Sequence, residues 1–137
     1  MARISDEEYK RFSEQLAQRF ERKVKGHKIL SPLPETIHGV RLIPLPSAKE
    51  VKKKKLSTIE GNTIYFYTKS KKRGIFHLLR HFRNCASHDN RITKKQKDGN
   101  YFYQFEDRNK THVSMRGKVN EEKWEEFIEK LYEDALI

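Results

Sequence analysis

Apolar residues recur along this chain at two periods, about three and a half and two, in separate segments. From Ser5 to Lys25 the spacing is helical: Tyr9, Phe12, Leu16, Phe20 and Val24 step by threes and fours, one stripe of a cylinder. Ser5 and Glu8 make the S-x-x-E capping box that opens a helix, and Gly26 suits its end. Ile75, Leu78, Leu79, Phe82, Cys85 and Ala86 repeat the stripe, with Phe76 alone on the opposite arc. Trp124, Phe127, Ile128, Leu131 and Ala135 repeat it again, behind an Asn120 cap and a first turn in which Glu121 and Glu122 suit the positive helix end. The spacing predicts helices over residues 5–25, 74–88 and 120–135.

Period two appears in Tyr101, Tyr103 and Phe105, then in Thr111, Val113 and Met115 set against His112, Ser114 and Arg116. Residues 101–116 therefore read as a hairpin or small antiparallel sheet turning at Asp107-Arg108-Asn109-Lys110. Asp98-Gly99-Asn100 is a second turn signal. Residues 63–68, Thr-Ile-Tyr-Phe-Tyr-Thr, follow the Gly61-Asn62 turn and read as a strand that could join this sheet, although a buried helical turn looks similar. All four prolines, Pro32, Pro34, Pro44 and Pro46, fall in residues 27–47, where regular structure is expected to break. No repeat or second boundary shows, so residues 1–137 are expected to form one domain of α+β class.

Charge narrows the partners. The net charge is +11, yet residues 121–137 hold seven acids against Lys123 and Lys130, a local −5. Between Glu60 and Asp89 no acid occurs at all, while Lys69, Lys71, Lys72, Arg73, Arg80, Arg83, His77, His81 and His88 do. A field of one sign attracts a polyanion, so nucleic acid is the leading partner, ahead of a membrane or an acidic protein. The alternative is a solvated basic face that serves solubility. Lys52 to Lys55 read as exposed, with weak phosphate contacts. Cys85 is the single cysteine, which removes any intrachain disulfide and fits a reducing, cytoplasmic setting. The first residues lack the apolar core of a signal peptide, and no segment is apolar for long enough to span a bilayer.

On a helical wheel of about 100° per residue, His77, Arg80, His81, Asn84, Ser87 and His88 share the wet arc of the helix at 74–88, with Arg83 at its edge. An ordinary wet face mixes in carboxylates; this one holds cations, imidazoles and an amide. Arg83 can bind a phosphate through two parallel hydrogen bonds. His88 can carry a proton near neutrality. Together they meet the minimum for cutting RNA without a metal: a proton carrier and a stabiliser of phosphate charge. Asn84 would orient one or the other. Arg80, His81, His77, Lys71, Lys72 and Arg73 are the candidate RNA-binding residues. On a straight helix Arg83 and His88 point about 140° apart, so either the chain bends before His88 or two copies of the helix face each other.

The run Leu79-Arg80-His81-Phe82-Arg83-Asn84-Cys85-Ala86-Ser87-His88 resembles the signature of HEPN domains: an Arg, often followed by a polar residue, then a His four to six residues on. The resemblance implies a HEPN-like helical core with the hairpin appended. It implies a metal-independent endoribonuclease that uses 2′-hydroxyl attack at a composite site in a homodimer. Arg83 and His88 would be catalytic and Asn84 supporting, with no cofactor. HEPN domains include toxins, antiviral effectors and non-catalytic nucleic-acid binders. The alternatives are therefore a binding module, or a toxin–antitoxin or host-defence protein that meets an acidic partner. Asp89 departs from the small residue usual after the His.

Blander readings apply to the remaining side chains. His77, His81, Cys85 and His88 are zinc-ligand types, but one helix cannot wrap four of them around an ion. Cys85 reads as core. Tyr101, Tyr103 and Phe105 could stack bases but more often such a stripe is core.

Overall fold

In the computed structural model, which describes residues 2–27, 29, 31–88 and 90–135, the largest element is a sheet. Strands β1 (Ala2–Arg3), β2 (Thr36–Ile37), β3 (Val40–Leu45), β4 (Thr63–Tyr67), β5 (Ile92–Lys97), β6 (Asn100–Asn109) and β7 (His112–Asn120) lie in the order β1-β5-β6-β7-β4-β3-β2. Only the β3–β4 pairing is parallel. The class is α+β, but the expectation of a HEPN-like helical core with an appended hairpin is overturned: the sheet is the frame, and the helices lie on it.

The reason lies in two strands whose patterns hide them. In β5 only Ile92 is buried, and Lys94, Lys95 and Lys97 interrupt any apolar alternation. In β3 the proline argument fails because β2 covers only Val40 and Arg41. Beyond them β3 is an edge, where a strand tolerates proline, and Pro44 sits opposite Phe66 of β4.

The predicted helices do form, with shorter ends. The first is α1 (Asp6–Phe12), a π-helical stretch over Ser13–Gln18, and α2 (Arg19–Lys23). Its capping box is complete, and Phe12, Leu16, Phe20 and Val24 are buried, while Tyr9 is exposed. A short α3 (Ala48–Lys52) precedes β4. The motif helix α4 runs Gly74–Ala86, and α5 runs Glu121–Ala135 with the Glu122 N–H donating to Asn120 Oδ1 at 2.8 Å. The β6–β7 turn falls at Lys110-Thr111 rather than at 107–110: Asp107, Arg108 and Asn109 stay paired in β6, across a register shift that leaves Ser114 of β7 as the extra residue.

One apolar cluster joins α1, α2, α4 and α5 to one face of the sheet. Its centre is aromatic. Trp124 stacks on Phe105 at 5.0 Å between centroids, and Phe82 and Phe12 meet them edge-on. The indole N–H of Trp124 donates to Gln15 Oε1, and the Tyr132 hydroxyl donates to the Gln15 carbonyl, both at 2.8 Å. Gln15 lies in the π stretch, where the widened turn departs from the α-helical bonding pattern. Among the described residues no helix is long and apolar enough to cross a membrane.

Candidate nucleic-acid interface

Helix α4 buries Ile75, Leu78, Leu79, Phe82, Cys85 and Ala86 against the sheet and the other helices, as its wheel predicts. It ends at Ala86. The Ser87 N–H bonds to the carbonyls of Arg83 and Asn84, and its hydroxyl donates to the Arg83 carbonyl at 2.9 Å. His88 therefore stands outside the helix, as the bend option requires.

The bend does not bring the predicted catalytic set together within one chain. Arg83 turns toward α2: its Nη1 donates to Glu21 Oε1 at 3.0 Å, and its guanidinium carbon lies 5.3 Å from the Phe20 ring centroid. Asn84 turns toward the sheet and donates to Asp107 Oδ2 at 3.2 Å. His88 is exposed and lines a separate cavity with Arg3, Asp6, Tyr9 and Asn90. Arg83, Asn84 and His88 thus face three different neighbours. Asp89 lies outside the described residues.

A different group does converge. A cleft of about 390 Å³ between α4 and the ends of β4, β6 and β7 is lined by Thr68, Lys69, His77, Arg80, His81, Asn84 and Asp107. Asp107, nine-tenths buried, organises it from β6. One of its oxygens, Oδ2, accepts from His81 Nδ1 at 2.8 Å and from Asn84. The other ring nitrogen of His81 lies 2.8 Å from the Tyr67 carbonyl. Both nitrogens face acceptors, so both bonds are made only when the ring carries both protons. His81 is thereby held in place from both sides, by the sheet residue Asp107 and by the Tyr67 carbonyl.

His77 is the opposite case. Its Nδ1 lies 2.6 Å from Thr68 Oγ1. The Thr68 hydroxyl has one proton and two acceptors in reach, the Ser70 carbonyl at 2.9 Å and His77 Nδ1; donation to Ser70 goes with the Nδ1–H tautomer of His77. Nε2 then keeps its lone pair and has no partner among the described residues. Partial burial, followed by the charges of Arg73, His81 and Arg80, lowers the His77 pKa and favours this neutral form. Arg80 and Lys69 are exposed and make no ion pair among the described residues. The cleft can therefore hold an anion beside a neutral imidazole.

The remaining candidates divide. Lys72 is exposed beside the prolines at Pro32 and Pro34. Arg73 stacks on Phe76, 4.2 Å from its centroid, and Phe76 packs on Phe20, which explains the one apolar residue off the stripe. The Lys71 side chain lies outside those described. Cys85 is fully buried, and burial pushes its thiol well above the ordinary range. Tyr103 and Phe105 are core, whereas Tyr101 is 43% exposed. Among the described residues no group of three or more His, Cys, Asp or Glu is placed to hold a metal ion.

Sequence reasoning missed Asp107 and Thr68. Asp107 reads as a turn residue, and its only signal is an acid directly continuing the aromatic run of Tyr101 to Phe105. No family model, curated protein or solved structure matches the chain.

Proposed function

We propose that the protein binds RNA, seating the phosphate backbone on the exposed arc of α4 and in the cleft beside it. The observation that carries this reading is the contrast between two arginines three residues apart. Arg83 is paired with Glu21, while Arg80 lines the cleft with Lys69 and His77 and has no acidic partner among the described residues. A free guanidinium at a concave site is a phosphate ligand by charge and by shape.

A second reading adds cleavage by 2′-hydroxyl attack, and the neutral His77 with its unpartnered Nε2 favours it. In that reading His77 takes the 2′-hydroxyl proton and Arg80 holds the phosphate as charge develops. The attacking oxygen forms the new bond to phosphorus as the bond from phosphorus to the 5′-oxygen breaks, and that oxygen takes a proton from water, giving a cyclic phosphate and a free 5′-hydroxyl. The composite alternative keeps Arg83 and His88 as the catalytic pair and needs a second copy of α4.

Labelled RNA with a chelator present tests both. Arg80→Ala is expected to weaken RNA binding at least fivefold and to flatten its salt dependence. If the wild type cuts, loss of cutting in His77→Ala with retention in His88→Ala supports the cleft. The reverse pattern supports the composite site. RNA binding at low salt that is unchanged in Arg80→Ala removes the cleft from the interface. Binding to an acidic protein but not to RNA would replace the proposal with a toxin–antitoxin or host-defence interaction.

A further inference from the structure

The sheet has a second face, turned away from α4. Alternation puts Lys95 and Lys97 of β5, Phe102 and Gln104 of β6, and Lys118 of β7 on it, since Tyr103, Phe105 and Val119 point into the core. Register brings them together: Lys95 pairs with Phe102, and Gln104 pairs with Lys118. They line a concavity of about 400 Å³, with Asp98 at its rim.

Three features of this concavity suit a ligand. Lys118 is only 8% exposed and forms no ion pair among the described residues. Most of its side chain is covered, and it lines the concavity, where its ammonium has no carboxylate paired with it among the described residues. Burial, then the charges of Lys95 and Lys97, lower its pKa. Asp98 does not pair with any of the three among the described residues. Second, Gln104 is 2% exposed, its Oε1 accepts from Thr93 at 3.4 Å, and its amide lines the concavity. Third, Phe102 is fixed rather than loose. A Cβ at Gly61 would stand 2.7 Å from Phe102 Cε1, so the glycine leaves room for the ring edge against the backbone.

We propose that this concavity binds a nucleotide, its phosphate held by Lys95, Lys97 and Lys118 and its base set against Phe102. Three ammonium groups with one carboxylate nearby call for an anion, and an amide donor and an aromatic wall extend the fit to a base-bearing phosphate. An anion here would give Lys118 the counter-charge it lacks. The source is either a free mononucleotide or a unit of a single RNA strand. The site shares no residue with the α4 cleft, so each proposal can fail alone.

The experiment compares AMP, a 5′-phosphorylated RNA hexamer and inorganic phosphate by calorimetric titration of the full chain. AMP or the hexamer is expected to bind, and Lys95→Gln with Lys97→Gln to weaken that binding at least tenfold. Both lysines are exposed, so this double variant should melt as the wild type does. AMP binding lost in Arg80→Ala but kept in the lysine double variant would place the nucleotide in the α4 cleft and overturn this site. Hexamer binding much tighter than AMP binding, lost in the lysine double variant, assigns the site to an RNA strand. Equal affinities assign it to a free nucleotide. Inorganic phosphate binding as tightly as AMP overturns the nucleotide assignment. Failure of both nucleotides to bind, or binding untouched by the double variant, overturns the site. Lys118→Met should abolish binding, and binding kept in that variant would also overturn the proposal.

Discussion

A single oxygen of Asp107 accepts from both His81 and Asn84, and the position of two α4 side chains depends on it. The His81 and Asp107 side chains are only 12% and 11% exposed. Removing a shared acceptor leaves the donors of both partners buried and unpaired, which typically costs about 1–3 kcal/mol each. Asp107→Ala should therefore lose about 3 kcal/mol of unfolding free energy in urea titration. A loss below about 1 kcal/mol, the range of surface pairs, would show that solvent screens this one. The amino-acid pattern made His77, Arg80, His81 and Asn84 legible as the wet arc of a helix, because a helical period is a local property. It could not distinguish Arg80 from Arg83. Their side chains are chemically alike, and Glu21, which occupies Arg83, is 62 residues away in the chain.

At the scale of elements, Glu8 ties α1 to β5. Its carboxylate completes the Ser5 capping box and accepts from Lys94 of β5 at 3.0 Å and from the Tyr103 hydroxyl of β6 at 2.7 Å. Burial opposes ionisation, but the Ser5 amide, the Tyr103 hydroxyl and Lys94 outweigh it and hold the group at about 2. The folded value lies below the ordinary carboxylate value of 4.5. Glu8 therefore stabilises the fold above that ordinary value, and this contribution is lost as pH falls from about 4.5 toward 2. Denaturant titrations in that window should show wild-type stability falling more steeply than that of Glu8→Gln; parallel slopes would remove Glu8 as a source. The capping box was plain in the S-x-x-E spacing. The β5 side of the tie was hidden, because a strand with one buried residue carries no apolar period and Lys94 reads as one more surface lysine.

Across the molecule, the aromatic centre is what joins the helices to the sheet. Trp124 of α5 is fully buried, meets Phe12, Phe82 and Phe105, and donates to Gln15. Trp124→Ala should cost about 3–5 kcal/mol from lost burial and the cavity left behind, read as an earlier urea midpoint; a shift worth under 1 kcal/mol would place the packing centre elsewhere. Each helix's apolar stripe was written in the chain, yet the stripes alone also fit a bundle, and the expectation of a helical core followed from that ambiguity. Sheet pairings over long separations decided between the two arrangements: β4 pairs with β7, and β1 with β5. The sequence by itself determined the helices, the hairpin, the concentration of positive charge and the acid-free stretch from 61 to 88, because periodicity and composition are local. Only the tertiary structure decided which cations keep a free charge. Glu21 takes Arg83 from 62 residues away, while Arg80, Lys95, Lys97 and Lys118 have no ion-pair partner among the described residues, because pairing depends on the path of the chain between partners.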